Sequence, residues 1–262
     1  MQYLIYFLIA IGSTTVGSLT GMGGGVIIKP VVDLLGDFDA QTIGVLSSLT
    51  VFSMSLVSIA KQMLARTRIP FDTAIPLAAG SVAGGMAGER LLRLIVSALE
   101  ANESVTAVQN AVLSLLILAV LVYMRNKSRV RSFHLRGAAV SALAGLFLGI
   151  CSSFLGIGGG PINVALIILL FSYDTKTATV CSLVAILFAQ LSKLGSVALT
   201  TGFAAFDLRM APVMIAGAVA GGFLGAGLNR RCRVEMVEKA FNAVQLLVLG
   251  IAAVNIIRNL AC

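Results

Sequence analysis

Gly21-Met22-Gly23-Gly24-Gly25 returns 135 positions later as Gly156-Ile157-Gly158-Gly159-Gly160, and the reading of these two clusters decides the fold. At the same offset Asp39 falls on Asp174, Thr42 on Thr177, Ser47 on Ser182, and Phe71-Asp72 on Phe206-Asp207. After a small length change Ala83-Gly84-Gly85 falls on Ala220-Gly221-Gly222. Apolar composition alone gives scattered matches. It does not give a GxGGG cluster, an FD pair and an AGG triplet in one order at nearly one offset, so the chain is a duplicated unit.

Around these clusters the 262 residues are 58% hydrophobic and only 11% charged, with mean hydropathy +1.00. A soluble domain is about 45–50% apolar and about 25% charged, and a soluble monomer rarely exposes the apolar patches this composition would force. The chain reads as an all-α polytopic membrane protein. The net charge of +8 is no nucleic-acid signal, because most of the 19 Lys and Arg residues punctuate the gaps between apolar runs. Juxtamembrane charge setting orientation explains that pattern better than a basic groove. Cys151, Cys181, Cys232 and Cys262 show no paired spacing, so neither disulfide nor zinc is implied.

A spanning helix needs about 20 mostly apolar residues. The candidates are residues 3–19, 43–60, 73–96, 105–124, 137–156, 178–199, 210–229 and 240–257, and the first is read as a retained membrane segment rather than a cleaved signal. The first and fifth run into the glycine clusters, each followed by an apolar stretch too short to span, residues 26–35 and 161–171. The division expected is an N-terminal transmembrane repeat (1–124), a basic cytoplasmic linker (125–136, RNKSRVRSFHLR) and a C-terminal transmembrane repeat (137–262). His134, the only histidine, reads as a linker residue.

The charges bear on how the halves are related. With four crossings per half, the halves are parallel and the basic residues split ten to eight. Lys61, Arg66, Arg68, the linker's five, Arg209 and Arg258 then lie on the linker's side. If each glycine cluster is instead the tip of a re-entrant hairpin, each half crosses three times and the second is inverted. Lys61, Arg66, Arg68, the linker's five, Lys176, Arg230, Arg231, Arg233 and Lys239 then share the inner side: thirteen, against Lys29, Arg90, Arg93, Arg209 and Arg258 outside. The positive-inside rule prefers the second count, with both termini outside.

The paired GxGGG clusters, each ending the first helix of a half, together with the basic linker and the AGG helix, resemble the sulfite exporter TauE/SafE family of membrane permeases along essentially the whole chain. The resemblance implies a secondary transporter, often of sulfur-containing anions such as sulfite or organosulfonates. In one respect the halves differ. Pro161 follows the second cluster, where Val26 stands in the first half with Pro30 four residues later.

The residues themselves support an anion site. Glycines weaken a helix by roughly 1 kcal/mol each, and a break at membrane depth must line protein or a cavity. It frees N–H groups and aims the next half-helix's positive end at the gap, which suits an anion. The candidate site is therefore Gly23, Gly24, Gly25, Gly158, Gly159 and Gly160. Thr20, Ser152, Ser153 and Asn163 stand near the breaks, and Ser47, Ser48 and Ser182 lie one helix later. Each hydroxyl could equally bond back to its own helix. Gln190 and Lys193 share a helix face, and the lysine either meets the anion or snorkels from the helix end. Lys29 and Asp33 are expected to pair, and Asp72 and Asp207 to cap helices. Gly84-Gly85 and Gly221-Gly222 read as close helix packing.

No Walker A motif, H-E-x-x-H, nucleophile elbow or histidine cluster is present, so neither ATP-driven transport nor catalysis is expected. No cofactor or metal is implied. The expected partners are a small anionic solute and the lipid bilayer, with no nucleic acid and with room for a homodimer, in a multi-pass plasma-membrane protein. The competing readings are an anion channel and a non-transporting membrane subunit.

Overall fold

The computed structural model describes residues 2–67, 69–99, 102–127, 129–157 and 159–261. Among these it has ten α-helices, a single 3-10 turn and no strand. The first half contributes α1 (Gln2–Thr20), α2 (Gly25–Leu35), α3 (Ala40–Leu64), α4 (Phe71–Leu99) and α5 (Asn102–Asn126). The second contributes α6 (Ala138–Leu155), α7 (Pro161–Phe171), α8 (Thr175–Thr200), α9 (Ala211–Arg231) and α10 (Val234–Ala261). Six are long and apolar enough to cross a membrane: α1, α3, α5 over Val108–Asn126, α6, α8 and α9. The candidate spans in α4 and α10 lie outside that set.

Both breaks form where the glycines are. Gly21 and Gly23 take φ of +76° and +75°, and Gly156 and Gly159 take +65° and +114°, so left-handed backbone ends α1 and α6. The 11-residue helices α2 and α7 that follow are about 16 Å long at 1.5 Å per residue, half of a bilayer core. Each folds back along its predecessor. The Tyr6 hydroxyl near the start of α1 donates to Asp37 Oδ2, just past the end of α2, at 2.9 Å. In the second half the Phe133 and Leu135 amides, just before α6, donate to the Leu169 and Leu170 carbonyls at the end of α7.

The matched aspartates Asp39 and Asp174 are the N-caps of α3 and α8, where their carboxylates accept first-turn amides. Burial pushes the Asp174 carboxyl up, but the Thr177 hydroxyl and the amides of Thr177 and Lys176 pull it down further, leaving it below its ordinary value. Asp72 and Asp207 do not cap. Asp72 lies within the first turn of α4, and Asp207 precedes α9 by four residues and pairs with Arg209 at 3.2 Å. The helix start moved because Pro212, which fixes φ and lacks an N–H, suits the first turn better than the Asp207 loop does.

The halves interlock through glycine faces. A Cβ on Gly80, Gly84 or Gly88 of α4 would strike the Ala142, Leu146 or Ile150 carbonyl of α6 at 1.9–2.5 Å. Gly217, Gly221 and Gly225 of α9 meet Ala10, Thr14 and Thr15 of α1 in the same manner. The AGG glycines are thus packing residues: Gly85 also abuts Ala189 of α8, and Gly222 abuts Met54 of α3. In both pairs the register rises together, so α1 and α9 run in one sense, as do α4 and α6. The central pair differs. Val51 and Met54 of α3 cluster with Leu183 and Ile186 of α8, while Val45 clusters with Leu194 and Val197, so these matched helices run antiparallel.

Candidate functional site

The interlock brings the two breaks into contact. A Cβ on Gly25 would lie 1.9 Å from the Ile157 carbonyl and 2.7 Å from Ser47 Oγ. One on Gly159 would lie 2.5 Å from Ile186 and 3.3 Å from the Met22 carbonyl. Only hydrogen fits at such places. Ser182 Oγ donates to the Gly21 carbonyl at 2.6 Å and Thr179 Oγ1 to the Thr20 carbonyl at 3.2 Å, so α8 of the second half secures the break of the first. Gly24 and Gly160, the N-caps of α2 and α7, leave the first amides of both half-helices without a side-chain cap. Because Pro161 has no N–H, α7 offers one donor fewer than α2. Gly158 lies outside the described residues.

Ionisable groups gather at Gly156. A Cβ there would be 3.7 Å from Lys29 Cδ and 4.0 Å from Lys193 Nζ. Both lysines are about 1% exposed. Lys193 therefore does not snorkel, and Lys29, counted above among the outer charges, belongs to the interior. Lys29 Nζ lies 3.8 Å from Asp33 Oδ2, the expected pairing. Lys193 Nζ lies 3.8 Å from Glu89 Oε2 and donates weakly to the Gly44 carbonyl at 3.4 Å. Arg93 completes the set, 3.9 Å from Glu89 Oε1. Three basic side chains and two carboxyls thus meet in this region. The C-terminal end of α6 beside them favours cations, yet Lys29 Nζ has no hydrogen-bond acceptor.

Of the other expected residues, Ser47 Oγ, Ser153 Oγ and Asn163 Oδ1 are buried without a hydrogen-bond partner. Gln190 donates to Ser152 Oγ at 3.1 Å, and its carbonyl oxygen has no donor. Thr20 and Ser48 do bond back to their own helices, at Val16 and Gly44. Two small cavities lie nearby. One sits at the ion pair, lined by Gln41, Glu89, Arg93, Lys193 and Phe206, and the other sits at the second break, where Ser152, Gly159, Gly160 and Asn163 share a mainly apolar wall with Leu113, Leu116 and Ile117. Each holds about 10 Å³, room for about one water.

Sequence reading passed over Glu89. Its signal was available: it is an acid inside an apolar run, and an intramembrane charge is a functional candidate by default. Asn110 and Gln245 were also passed over. They are related by the 135-residue offset, lie on α5 and α10, and are fully buried with unpaired amide atoms.

Two broken helices meeting inside a helical bundle, with buried charge at the junction, are the anatomy of a multi-pass membrane transporter. The sulfite exporter TauE/SafE family model matches residues 6–253, and the chain belongs to that family. It is also similar to the probable membrane transporter protein YunE of Bacillus subtilis (strain 168), 25% identical over 274 residues that cover 95% of this chain and 96% of the relative. No solved structure matches the chain.

Proposed function

We propose that this transporter moves a small anion, a sulfur oxyanion or organosulfonate, across the plasma membrane by alternating access around the paired breaks. The observation that carries the reading is the convergence of Lys29 and Lys193 on Gly156, next to the contact between Gly25 and Ile157. Unsatisfied donors at Lys29 and the hydroxyls of Ser47 and Ser153 suit an oxyanion with several acceptors. The cavities beside the ion pair and at the second break each hold about one water, which fits a closed state of a carrier better than an open channel.

The halves are inverted repeats in this reading. The antiparallel crossing of α3 and α8 supports that relation, as does the matched folding back of α2 on α1 and of α7 on α6. So does the grouping of charge: Lys61 lies beside Arg230 and Arg231, whereas Arg209 lies over the Phe38 ring near Asp37. A parallel arrangement would place Lys61 with Arg209 instead.

Uptake of labelled sulfite, thiosulfate, sulfoacetate and taurine into proteoliposomes tests the function. Saturable uptake that Lys193→Met abolishes, with the protein still inserted, is the expected result. Unsaturable conductance would mean a channel, and no flux of any anion would mean a non-transporting subunit.

A further inference from the structure

A second group of cations lies away from the breaks. At the ends of α3 and α9, Lys61, Arg230 and Arg231 line a cleft of about 450 Å³. Lys61 Nζ donates to the Phe223 carbonyl, lies 3.4 Å from the centre of the Phe223 ring, and would sit 2.9 Å from a Cβ on Gly227. The ammonium is therefore held at the cleft by α9 itself. Lys176, at the start of α8, reaches the Arg230 carbonyl at 3.4 Å. Among the described residues the ion pairs use Lys29, Arg93, Lys127, Lys193 and Arg209, and no carboxylate pairs with Lys61, Arg230 or Arg231.

The rest of the cleft wall is apolar and open. Phe223, Leu224 and Leu228 are 57%, 51% and 42% exposed, on the surface a membrane protein turns to lipid. Like charges held together without a counter-ion repel one another. The C-terminal dipoles of α3 and α9 explain a cation at each helix end, but not three around one cleft with hydrocarbon-like side chains beside it. The chemistry that satisfies both walls is an anionic phosphate carried on acyl chains. Basic pockets between transmembrane helices take such head groups.

We propose that this cleft binds the phosphodiester head group of an acidic glycerophospholipid, with its acyl chains along Phe223, Leu224 and Leu228. The lipid ties α3 of the first half to α9 of the second. The site is independent of the transported solute.

Native mass spectrometry of the detergent-purified protein, with phosphatidylglycerol or phosphatidylcholine added, tests it. Wild type is expected to retain phosphatidylglycerol preferentially, and Arg230→Gln/Arg231→Gln to weaken retention about fivefold for each cation removed. Arg129→Gln/Arg131→Gln in the linker removes the same charge elsewhere and is expected to change nothing. Lys61→Gln, an independent single substitution, keeps the question answerable if the double variant does not fold. Equal retention of the two lipids, or an equal loss in the linker variant, would overturn the site. Displacement of the lipid by millimolar inorganic phosphate would replace it with a site for free phosphate.

Discussion

Lys193 of α8 and Glu89 of α4 face each other at 3.8 Å in the protein interior, one from each half of the duplicated chain. The pair is buried and poorly solvated, with the Gly44 carbonyl, Arg93 and Lys29 close by. Removing one partner of such a pair leaves an uncompensated charge. Glu89→Ala should destabilise the protein by about 3–5 kcal/mol. The double variant Glu89→Met/Lys193→Met should recover most of that, because two apolar side chains of similar volume need no counter-ion. Thermal unfolding followed by circular dichroism, arranged as a double-mutant cycle, measures the coupling. A single-variant loss below about 1 kcal/mol would mean that water reaches the pair.

The contact between the breaks makes a steric prediction. At Gly25 the added methyl of alanine meets a backbone carbonyl, Ile157, which cannot rotate away. Gly25→Ala should cost about 3 kcal/mol or more, the upper range for overpacking, and abolish uptake. Gly12 of α1 and Gly195 of α8 have nothing within 4 Å of such a methyl. Gly12→Ala and Gly195→Ala should be neutral or slightly stabilising, since alanine favours a helix by about 1 kcal/mol over glycine. Equal melting of Gly25→Ala and Gly12→Ala would exclude the close approach.

Asp174 predicts a pH dependence. Its carboxyl titrates below the ordinary value in the folded chain, so the ionised cap stabilises fully above the unfolded-state value. That stability is lost as pH falls through the lower folded one. Asp174→Ala should cost about 1 kcal/mol at neutral pH, a typical N-cap loss. The difference from wild type should shrink below about pH 4, where the unfolded carboxylate begins to protonate. A difference that stays constant to pH 2 would assign the cap's effect to something other than its charge.

Much of this site was legible in the sequence because it is repeated. The clusters at Gly21 and Gly156, the short helices after them and the AGG packing faces all recur at nearly one offset. Repetition separates a structural device from apolar chance. The charged part was not legible by that route. The positions that correspond to Lys29, Lys193 and Glu89 are Val164, Ser58 and Ala226, so the repeat carries no trace of them. Their burial also depends on partners from both halves. Lys29 sits in α2, close in sequence to a loop, and only the fold of α6 against it shows that Gly156 closes it in. Asp207 was misread for a related reason: a local capping signal was outcompeted by Pro212 nearer the apolar run.

The inverted arrangement can be decided by labelling from each side of the membrane. Cys151 and Cys181 are partly or wholly buried, so a background with Cys232→Ser and Cys262→Ser leaves little native thiol reactivity. In that background Lys61→Cys, Lys127→Cys and Arg230→Cys should react together from the cytoplasmic side, and Asp37→Cys and Arg209→Cys only from the outside. Lys61 shares its cleft with Arg230, Lys127 pairs with Glu238 beside Thr175, and Arg209 lies 5.4 Å from the Phe38 ring centre. With parallel halves Arg209 would label with Lys61, and Arg230 with Asp37. The charge count, thirteen to four once the buried Lys29 is set aside, would then have no topological meaning, and the two breaks could not be related by an axis lying in the membrane plane.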